Sequence, residues 1–308
     1  MAGWRLSRQS AAMSRLAWTL LFALALLWGG SFFFVGVAVL EWPPLMIVLA
    51  RVGLAAIALW GVVLALRLEL RRDGPALRAH LGMGLLNNAL PFLLIVWAQS
   101  PAGGGLPSGV ASILNATTPL WAVLLAHALG AERATALRVA GVVSGFLGVA
   151  AMLGGDLSEA PVAATLAMLA ATFAYASAGL WGRRFKALGI PPLVAAAGQV
   201  SVASLLLLPL ALWFHPPDTL PWPGQPVLGA LLGLALFSTA LAYLLYFRIL
   251  DLAGPVNLML VTLLIPVVAI ALGVVALGES LGPRHGAGLA LIALGLAMID
   301  GRLFRRRG

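Results

Sequence analysis

Arg51 is the one charged residue that lies well inside a long apolar segment of this chain, seven positions after Pro44. A charged side chain in hydrocarbon costs about 2.5–3.5 kcal/mol on insertion scales, so its presence calls for a partner. One interpretation is a cation that binds the carboxylate or phosphate of a substrate. The other is a structural arginine that snorkels, or that bonds to the backbone carbonyls of a broken helix nearby. The sequence leaves both interpretations open.

Uncharged polar side chains and aromatic rings inside the apolar segments are further candidates for a substrate cavity. Asparagine is expensive in lipid, so Asn87, Asn88 and Asn115 are expected to line a cavity. A single Ser or Thr has a plainer interpretation as an interhelical hydrogen bond worth about 0.6 kcal/mol, and an aromatic ring can simply pack. The predicted substrate-binding residues are Trp28, Ser31, Arg51, Asn87, Asn88, Asn115, Thr118, Tyr175, Ser177, Ser238, Tyr243, Asn257 and Thr262.

Three prolines within apolar segments, Pro91, Pro119 and Pro266, predict kinks or hinges. Each removes one hydrogen bond from a helical ladder. Backbone groups exposed by a break near the membrane midplane are typical of transporter binding sites. Pro119 and Pro266 are therefore expected to form a paired hinge or cavity wall, and a fixed packing kink is the alternative.

The sequence does not predict an enzyme. The four histidines are scattered, no pair of them has metal-ligand spacing, and the chain has no cysteine. It also contains neither a Gly-x-Ser-x-Gly elbow nor a glycine-rich loop that follows a strand. We therefore expect no catalytic residue, no metal site and no cofactor.

Membrane-spanning helices must position these residues. Hydrophobic residues make up 62% of the 308-residue chain and charged residues 9%, a composition that fits a bilayer better than water. In a bilayer, helices satisfy their own backbone hydrogen bonds. The formal net charge of +9 does not indicate nucleic-acid binding, because the basic residues lie in short loops between apolar segments. The expected partners are the lipid bilayer and a small-molecule substrate.

Ten apolar segments approach the roughly 20 residues that a membrane-spanning helix needs. Short loops marked by Pro, Gly and charged residues separate them. The predicted spans are Leu16–Val39, Pro44–Leu66, His80–Ala98, Ser108–Leu129, Leu137–Leu153, Pro161–Trp181, Pro191–Phe214, Pro226–Phe247, Pro255–Leu277 and His285–Ile299.

Lysine and arginine are concentrated in alternate loops. With the N-terminus inside, the inner loops and tails carry 17 of the 19 basic residues, the outer loops carry Arg284 alone, and Arg51 lies within a span. Cytoplasmic loops of membrane proteins are enriched in Lys and Arg. The sequence therefore predicts that both termini are cytoplasmic.

The two halves of the chain are related by an offset of 147 residues. It matches Pro119 with Pro266, Glu132 with Glu279, Gly141 with Gly288, Gly148 with Gly295 and Trp28 with Tyr175, and it places Gly198 opposite Arg51. Because each half holds five spans, an odd number, the second copy is predicted to be inverted in the membrane. The predicted organisation is a basic tail at 1–15, a five-helix repeat at 16–153, an inverted five-helix repeat at 161–300 and a basic tail at 301–308.

Several short motifs occur in the same order in both halves. The first half contains Trp28-Gly29-Gly30-Ser31-Phe32, then Thr118-Pro119-Leu120 and Gly130-Ala131-Glu132-Arg133; the second contains Ile265-Pro266-Val267 and Leu277-Gly278-Glu279. Together they resemble the drug/metabolite transporter superfamily, in its ten-span EamA-type branch. The resemblance extends from about Trp18 to Ile299.

The resemblance implies a multi-pass secondary transporter of the bacterial inner membrane, built from two inverted five-helix repeats and generally an exporter of metabolites such as amino acids. It also implies a central cavity lined mainly by the first four spans of each half. Alternating access of the halves about that cavity is the expected mechanism. A multidrug exporter of amphipathic compounds is one alternative, and a non-transporting scaffold or lipid scramblase is another.

Two further features have alternative interpretations. Glu132 and Glu279, predicted at opposite membrane faces, are either anchors at helix ends or carboxylates that couple transport to protons. The glycine-rich faces of the fifth and tenth spans favour close helix packing, either within the chain or across a homodimer.

Overall fold

The computed structural model describes residues 14–130, 134–153, 162–216, 220 and 222–301, and these residues form helices and loops without strands. Glu132, the loop at 154–161 and nearly all of both basic tails lie outside the described residues. Within the described ranges, seven helices have the length and composition to cross a membrane, and two further apolar helices, Ala136–Met152 and Val261–Leu277, are shorter.

Ten helical spans, named α1 to α10, follow the ten predicted segments. Their bounds are α1 Arg15–Ala38, α2 Pro44–Ala65, α3 Gly74–Gln99, α4 Ser108–Ala128, α5 Ala136–Leu153, α6 Val162–Trp181, α7 Pro192–Phe214, α8 Gln225–Gly254, α9 Val261–Leu277 and α10 Pro283–Asp300. A short helix, Arg183–Ala187, lies between α6 and α7 where the sequence predicted a loop.

Local sequence signals explain where several helices begin and end. Asp73 precedes α3, and its carboxylate accepts a hydrogen bond from the Ala76 N–H at 2.9 Å. Proline occupies the first turn of α2, α7 and α10, where its missing N–H costs nothing. Gly278 ends α9 with φ 67°, a left-handed conformation that favours glycine.

Three of the spans depart from a regular α-helix. Helix α3 contains a π-helical segment at Leu85–Ala89, and α8 contains one at Gly233–Leu241. Helix α4 is broken between Asn115 and Thr118. Helix α8 extends to Gly254, beyond its predicted end at Phe247, and the chain turns there with φ 74° before a helical turn at 255–258 leads into α9.

Helices α5 and α10, the last of each half, run antiparallel in close contact. A methyl group added to Gly141 would lie 2.6 Å from the Gly295 carbonyl oxygen, and one added to Gly148 would lie 2.7 Å from that of Gly288. Between these pairs, the Ser144 hydroxyl donates to the Leu291 carbonyl at 2.9 Å. Of the two alternatives, contact within the chain or across a homodimer, these glycine faces therefore make the contact within the chain.

The other contacts between the halves are symmetric when the halves are exchanged. Helix α2 packs on its counterpart α7, where the Trp60 indole donates to the Ser201 hydroxyl at 2.8 Å. Helix α1 packs on α9, and its counterpart α6 packs on α4, the counterpart of α9. In the same way α8 packs on α1, and its counterpart α3 packs on α6, the counterpart of α1. Each half thus builds its core with helices of the other, and the polar residues of both halves meet between them.

Candidate substrate-binding site

Two π-helical segments, one in each half, shape the space between the halves. The repeat offset sets Leu85–Ala89 of α3 against 232–236, within one residue of the start of the segment Gly233–Leu241 in α8. A π-helical segment interrupts the regular ladder and frequently occurs at functional sites. Asn87 and Asn88 lie in the first segment, and Ser238 and Thr239 lie in the second.

The two asparagines of α3 converge on side chains from the second half. The Asn87 amide donates to the Gln199 side-chain oxygen of α7 and to the Tyr243 phenol of α8, both at 3.1 Å. The Asn88 amide also donates to the Tyr243 phenol at 3.1 Å. Tyr243 Oη therefore accepts two amide hydrogen bonds from adjacent residues, which fixes the π-helical segment of α3 against α8.

Arg51 of α2 lies beside this network and is only 6% exposed. Its Nε donates to Thr239 Oγ1 at 2.9 Å, and its guanidinium carbon lies 3.7 Å from the centroid of the Phe92 ring. Cation–π contacts of this kind are worth about 2 kcal/mol when desolvated. Tyr175 and Tyr243 lie near Arg51. The guanidinium is thus held in one orientation by groups from both halves.

The charge of Arg51 is not neutralised by any described carboxylate. Among the described residues, a carboxylate oxygen lies within 4.0 Å of a basic nitrogen in the pair of Arg71 with Asp73, in the loop before α3, and not at Arg51. The two Nη groups of Arg51 form no hydrogen bond with the described residues. Because a buried cation attracts an anion about 4 Å away by roughly 4 kcal/mol at an effective dielectric of 20, the surroundings of Arg51 favour an anionic group.

An acceptor without a donor lies in the same network. Asn88 is fully buried, and its Oδ1 has no hydrogen-bond partner although its Nδ2 bonds to Tyr243. A buried polar atom left unpaired costs about 1–3 kcal/mol, and Asn88 Oδ1 is such an acceptor among the described residues. Arg51 contacts Phe92 and Thr239, which lie four residues from Asn88 and from Tyr243, so the cation lies about one turn along α3 and α8 from the free acceptor.

The comparisons with known proteins agree on the class of molecule. The model of the EamA-like transporter family matches twice, at residues 15–154 and 162–300. The chain belongs to the EamA-like transporter family. Members of this family have a ten-helix fold, and this EamA-like protein is accordingly a multi-pass protein of the inner membrane.

Individual relatives cover nearly the whole of this EamA-like chain. It is 28% identical to the "Uncharacterized inner membrane transporter YedA" of Escherichia coli (strain K12), over 91% of this chain and 89% of that protein. It is 26% identical to the "Probable amino-acid metabolite efflux pump" of Salmonella typhimurium (strain LT2), over 92% and 94%. A crystal structure with TM-score 0.66 and 23% identity covers 95% of this chain and 98% of its own, and shows the fold.

The structure of this EamA-like protein brings together five of the predicted binding residues and leaves others apart. Asn87, Asn88 and Tyr243 share hydrogen bonds between the halves, and Arg51 and Tyr175 lie near them. Ser31, Thr118, Ser177, Asn257 and Thr262 each bond to a backbone carbonyl of their own helical segment or the turn before it. That bonding gives these five residues a local role in the described structure.

Three further candidates contact neighbouring helices or remain unpaired. The Ser238 hydroxyl donates to the Leu27 carbonyl of α1 at 2.7 Å, so it joins two spans. The Trp28 ring lies 5.7 Å from the Tyr246 ring, centroid to centroid. Asn115 ends the first part of α4, and its buried Oδ1 has no hydrogen-bond partner. Asn115 therefore offers a second free acceptor, at the break in α4.

The prolines have different local roles in the two halves of this EamA-like protein. Pro119 occupies the first turn of the second part of α4, directly after the break. Pro266, its counterpart, lies inside the continuous helix α9, and the turn before α9 lies at 259–260. Pro91 follows the π-helical segment of α3 and occupies the first turn of its last part. The break in α4 thus lies directly before its matched proline, whereas the turn at 259–260 lies before α9 and Pro266 follows inside that continuous helix.

Gln199 and Phe92 belong to the site and were not predicted from the sequence. Gln199 is 2% exposed, lies inside an apolar span, and follows Gly198, the residue that the repeat offset places opposite Arg51. That neighbourhood was a usable signal, because an amide inside a span is as costly as the asparagines. Phe92 carried no signal, since only the packing of α3 on α2 shows that its ring faces the guanidinium.

Proposed function

We propose that this protein is a secondary transporter that exports small zwitterionic metabolites, such as amino acids, by alternating access of its two halves. The single observation that carries the proposal is that a buried cation without a described carboxylate, Arg51, and a buried acceptor without a donor, Asn88 Oδ1, lie about one helical turn apart. An amino acid brings a carboxylate for the first and an ammonium group for the second. Binding therefore satisfies two groups, the Arg51 Nη atoms and Asn88 Oδ1, that bond to none of the described residues.

The surroundings of these two groups favour a substrate with an apolar side chain. The polar network is set in a hydrophobic cluster that includes Val48, Val52 and Phe92, all buried. Such walls contribute about 25 cal/mol per Å² of apolar substrate surface removed from water. The Salmonella relative named for amino-acid metabolite efflux supports the same class of substrate.

Counterflow into proteoliposomes tests the proposal. Radiolabelled leucine is compared with leucinamide, which lacks the carboxylate, and with N-acetyl-leucine, which lacks the ammonium group. We expect saturable leucine counterflow in the wild type, and Arg51→Gln is expected to reduce it about 10- to 100-fold, the equivalent of one charge-assisted hydrogen bond. Transport of leucinamide is expected to change little in the same variant.

Arg284→Gln, at an exposed arginine outside the site, is the matched control and should leave leucine flux unchanged. Equal loss of leucine and leucinamide flux in Arg51→Gln would show that Arg51 is structural. Flux of apolar cations without flux of amino acids would indicate a multidrug exporter, and no flux of any solute would indicate a scaffold. Accumulation in inside-out vesicles, and not in right-side-out vesicles, is the result that establishes export.

A further inference from the structure

A groove lies where the beginning of α3 meets the end of α6, at the same end of the bundle as the loop that carries the Arg71 and Asp73 pair. Its volume is about 410 Å³, and its lining includes Pro75 and Arg78 from α3 and Trp181, Arg184 and Leu188 from the α6 side. The lining is mostly apolar, and the two arginines lie at its rim, both exposed. The groove is separate from the site of Arg51 and serves no part of the proposed transport chemistry.

The short helix Arg183–Ala187 forms one side of this groove. Phe185 is its buried residue, at 7% exposed, and its ring lies 5.0 Å from that of His80 in α3. The side chains of Arg183 and Arg184 are exposed. An apolar anchor beside exposed basic residues is typical of a helix that lies at a membrane interface.

The Trp181 ring forms part of the floor of the groove, together with Leu188, and it holds one of the two arginines in place. Its indole N–H donates to the Ala79 carbonyl at 3.1 Å, which fixes the ring between α3 and α6. The guanidinium of Arg184 stacks on that ring, with its central carbon 3.8 Å from the ring centroid. The cation at the rim is therefore held in place by a fixed aromatic surface and is not a freely moving side chain.

The arginines at the rim carry charge that no described carboxylate neutralises. Asp73, the acidic residue directly before α3, pairs with Arg71 at 2.7 Å. Arg71 in turn donates to the Leu188 carbonyl at 2.8 Å, which closes the loop over the end of the groove. Arg78 and Arg184 form no ion pair within the described ranges, so both are available to an anion.

We propose that this groove binds the headgroup of an anionic phospholipid, such as phosphatidylglycerol or cardiolipin. Arg78 and Arg184 would contact the phosphate, because guanidinium groups bind phosphate through charge-assisted hydrogen bonds. The apolar floor of Trp181 and Leu188 would contact the glycerol and the first acyl carbons. Basic pockets between membrane helices at the headgroup level recognise lipids in this way. A free phosphate ion would leave that floor exposed to water.

Native mass spectrometry of the detergent-purified protein with phosphatidylglycerol, cardiolipin, phosphatidylcholine or inorganic phosphate tests the proposal. We expect the protein to retain the two anionic lipids in preference to phosphatidylcholine. We expect inorganic phosphate neither to be retained nor to stabilise the folded protein. Arg78→Gln combined with Arg184→Gln is expected to weaken anionic-lipid binding about 10- to 30-fold, from roughly 1 kcal/mol for each basic residue. Equal retention in this variant and in the wild type overturns the proposal.

Two comparisons keep the outcome independent of folding and of total charge. Arg248→Gln combined with Arg284→Gln removes the same charge from two exposed arginines elsewhere and is expected to retain the anionic lipids. In the wild type alone, equal retention of phosphatidylglycerol and phosphatidylcholine overturns the proposal without any variant. Stabilisation by inorganic phosphate as large as that by phosphatidylglycerol overturns it as well, since the site would then be one for a soluble anion.

Discussion

The Glu279 carboxylate caps the N-terminus of α4 by accepting hydrogen bonds from Ser108, the first residue of that helix, and from Gly109. The Ser108 N–H donates to Oε1 at 2.7 Å, the Ser108 hydroxyl donates to Oε2 at 2.9 Å, and the Gly109 N–H donates to Oε2 at 3.1 Å. A carboxylate at a helix N-terminus pairs with free N–H groups and with the helix dipole. Since α4 belongs to the first half and Glu279 follows α9, this contact joins the halves at one end.

Glu279→Gln is expected to destabilise the folded protein by about 1.5–3 kcal/mol, because it removes the charge from three hydrogen bonds. Ser108→Ala keeps both backbone donors and is expected to cost less, about 0.5–1.5 kcal/mol. The free energy of unfolding in an SDS titration is the measurement, with Glu69→Gln at an exposed loop position as the control. Equal stability of Glu279→Gln and the control would contradict the role of this cap.

Tyr243→Phe is expected to loosen the π-helical segment of α3. The variant removes the oxygen that accepts hydrogen bonds from Asn87 and Asn88, and it leaves Asn88 with both polar atoms unpaired. We expect a loss of about 1–3 kcal/mol in the free energy of unfolding. Tyr246→Phe is a control at a residue whose described contacts are aromatic, with the rings of Trp28 and Phe247. A smaller loss for Tyr243→Phe than for Tyr246→Phe would show that the shared acceptor is unimportant.

Gly141→Ala is expected to separate α5 from α10. The new methyl group would lie 2.6 Å from the Gly295 carbonyl oxygen, and backbone on a packed helix cannot move aside cheaply. Overpacking of this kind costs about 1–3 kcal/mol. Gly61→Ala in α2 is the control, since a methyl group there has no neighbour within 4 Å and Ala favours the helix. The two unfolding free energies should change in opposite directions, and a parallel change would argue against tight packing.

The pKa of Asp73 predicts an acid-dependent loss of stability outside the membrane. The hydrogen bond from Arg71, and then that from the Ala76 N–H, lower the pKa of this carboxyl below its ordinary value of 3.8. A lowered folded-state pKa stabilises the protein above pH 3.8, and this contribution is lost as the pH falls through the lower folded value. Melting temperatures at pH 7 and pH 3 are therefore expected to differ more for the wild type than for Asp73→Asn. If the melting temperature changes equally between pH 7 and pH 3 in both proteins, the lowered pKa of Asp73 does not contribute to stability.

The predicted orientation, with both termini cytoplasmic, is open to a direct labelling test because the chain has no cysteine. Single cysteines at Glu69 and Ala102, both exposed, lie in loops before and after α3. In intact cells, a membrane-impermeant maleimide is expected to label the cysteine at Ala102 and to spare the one at Glu69 until the membrane is opened. The reverse pattern would place the termini outside.

The sequence determined the membrane class, the number of spans and the candidates at the centre. Long apolar segments need no tertiary information, because hydropathy alone decides whether a helix enters lipid. Asn87 and Asn88 were identifiable for the same reason, since an amide in hydrocarbon is costly wherever its partner lies. The offset that matches Gly141 with Gly288 likewise pointed to repeated structure before any contact was known.

Only the tertiary structure decided which polar residues meet. Gln199 and Asn87 are 112 positions apart, and Thr239 and Arg51 are 188 apart, so their pairing depends on the way the halves pack. The π-helical segments were equally hidden, because one additional residue per turn changes the direction of side chains without changing hydrophobicity. Hydrophobicity acts on each segment separately and is readable along the chain, whereas hydrogen-bond partners are fixed by geometry between segments.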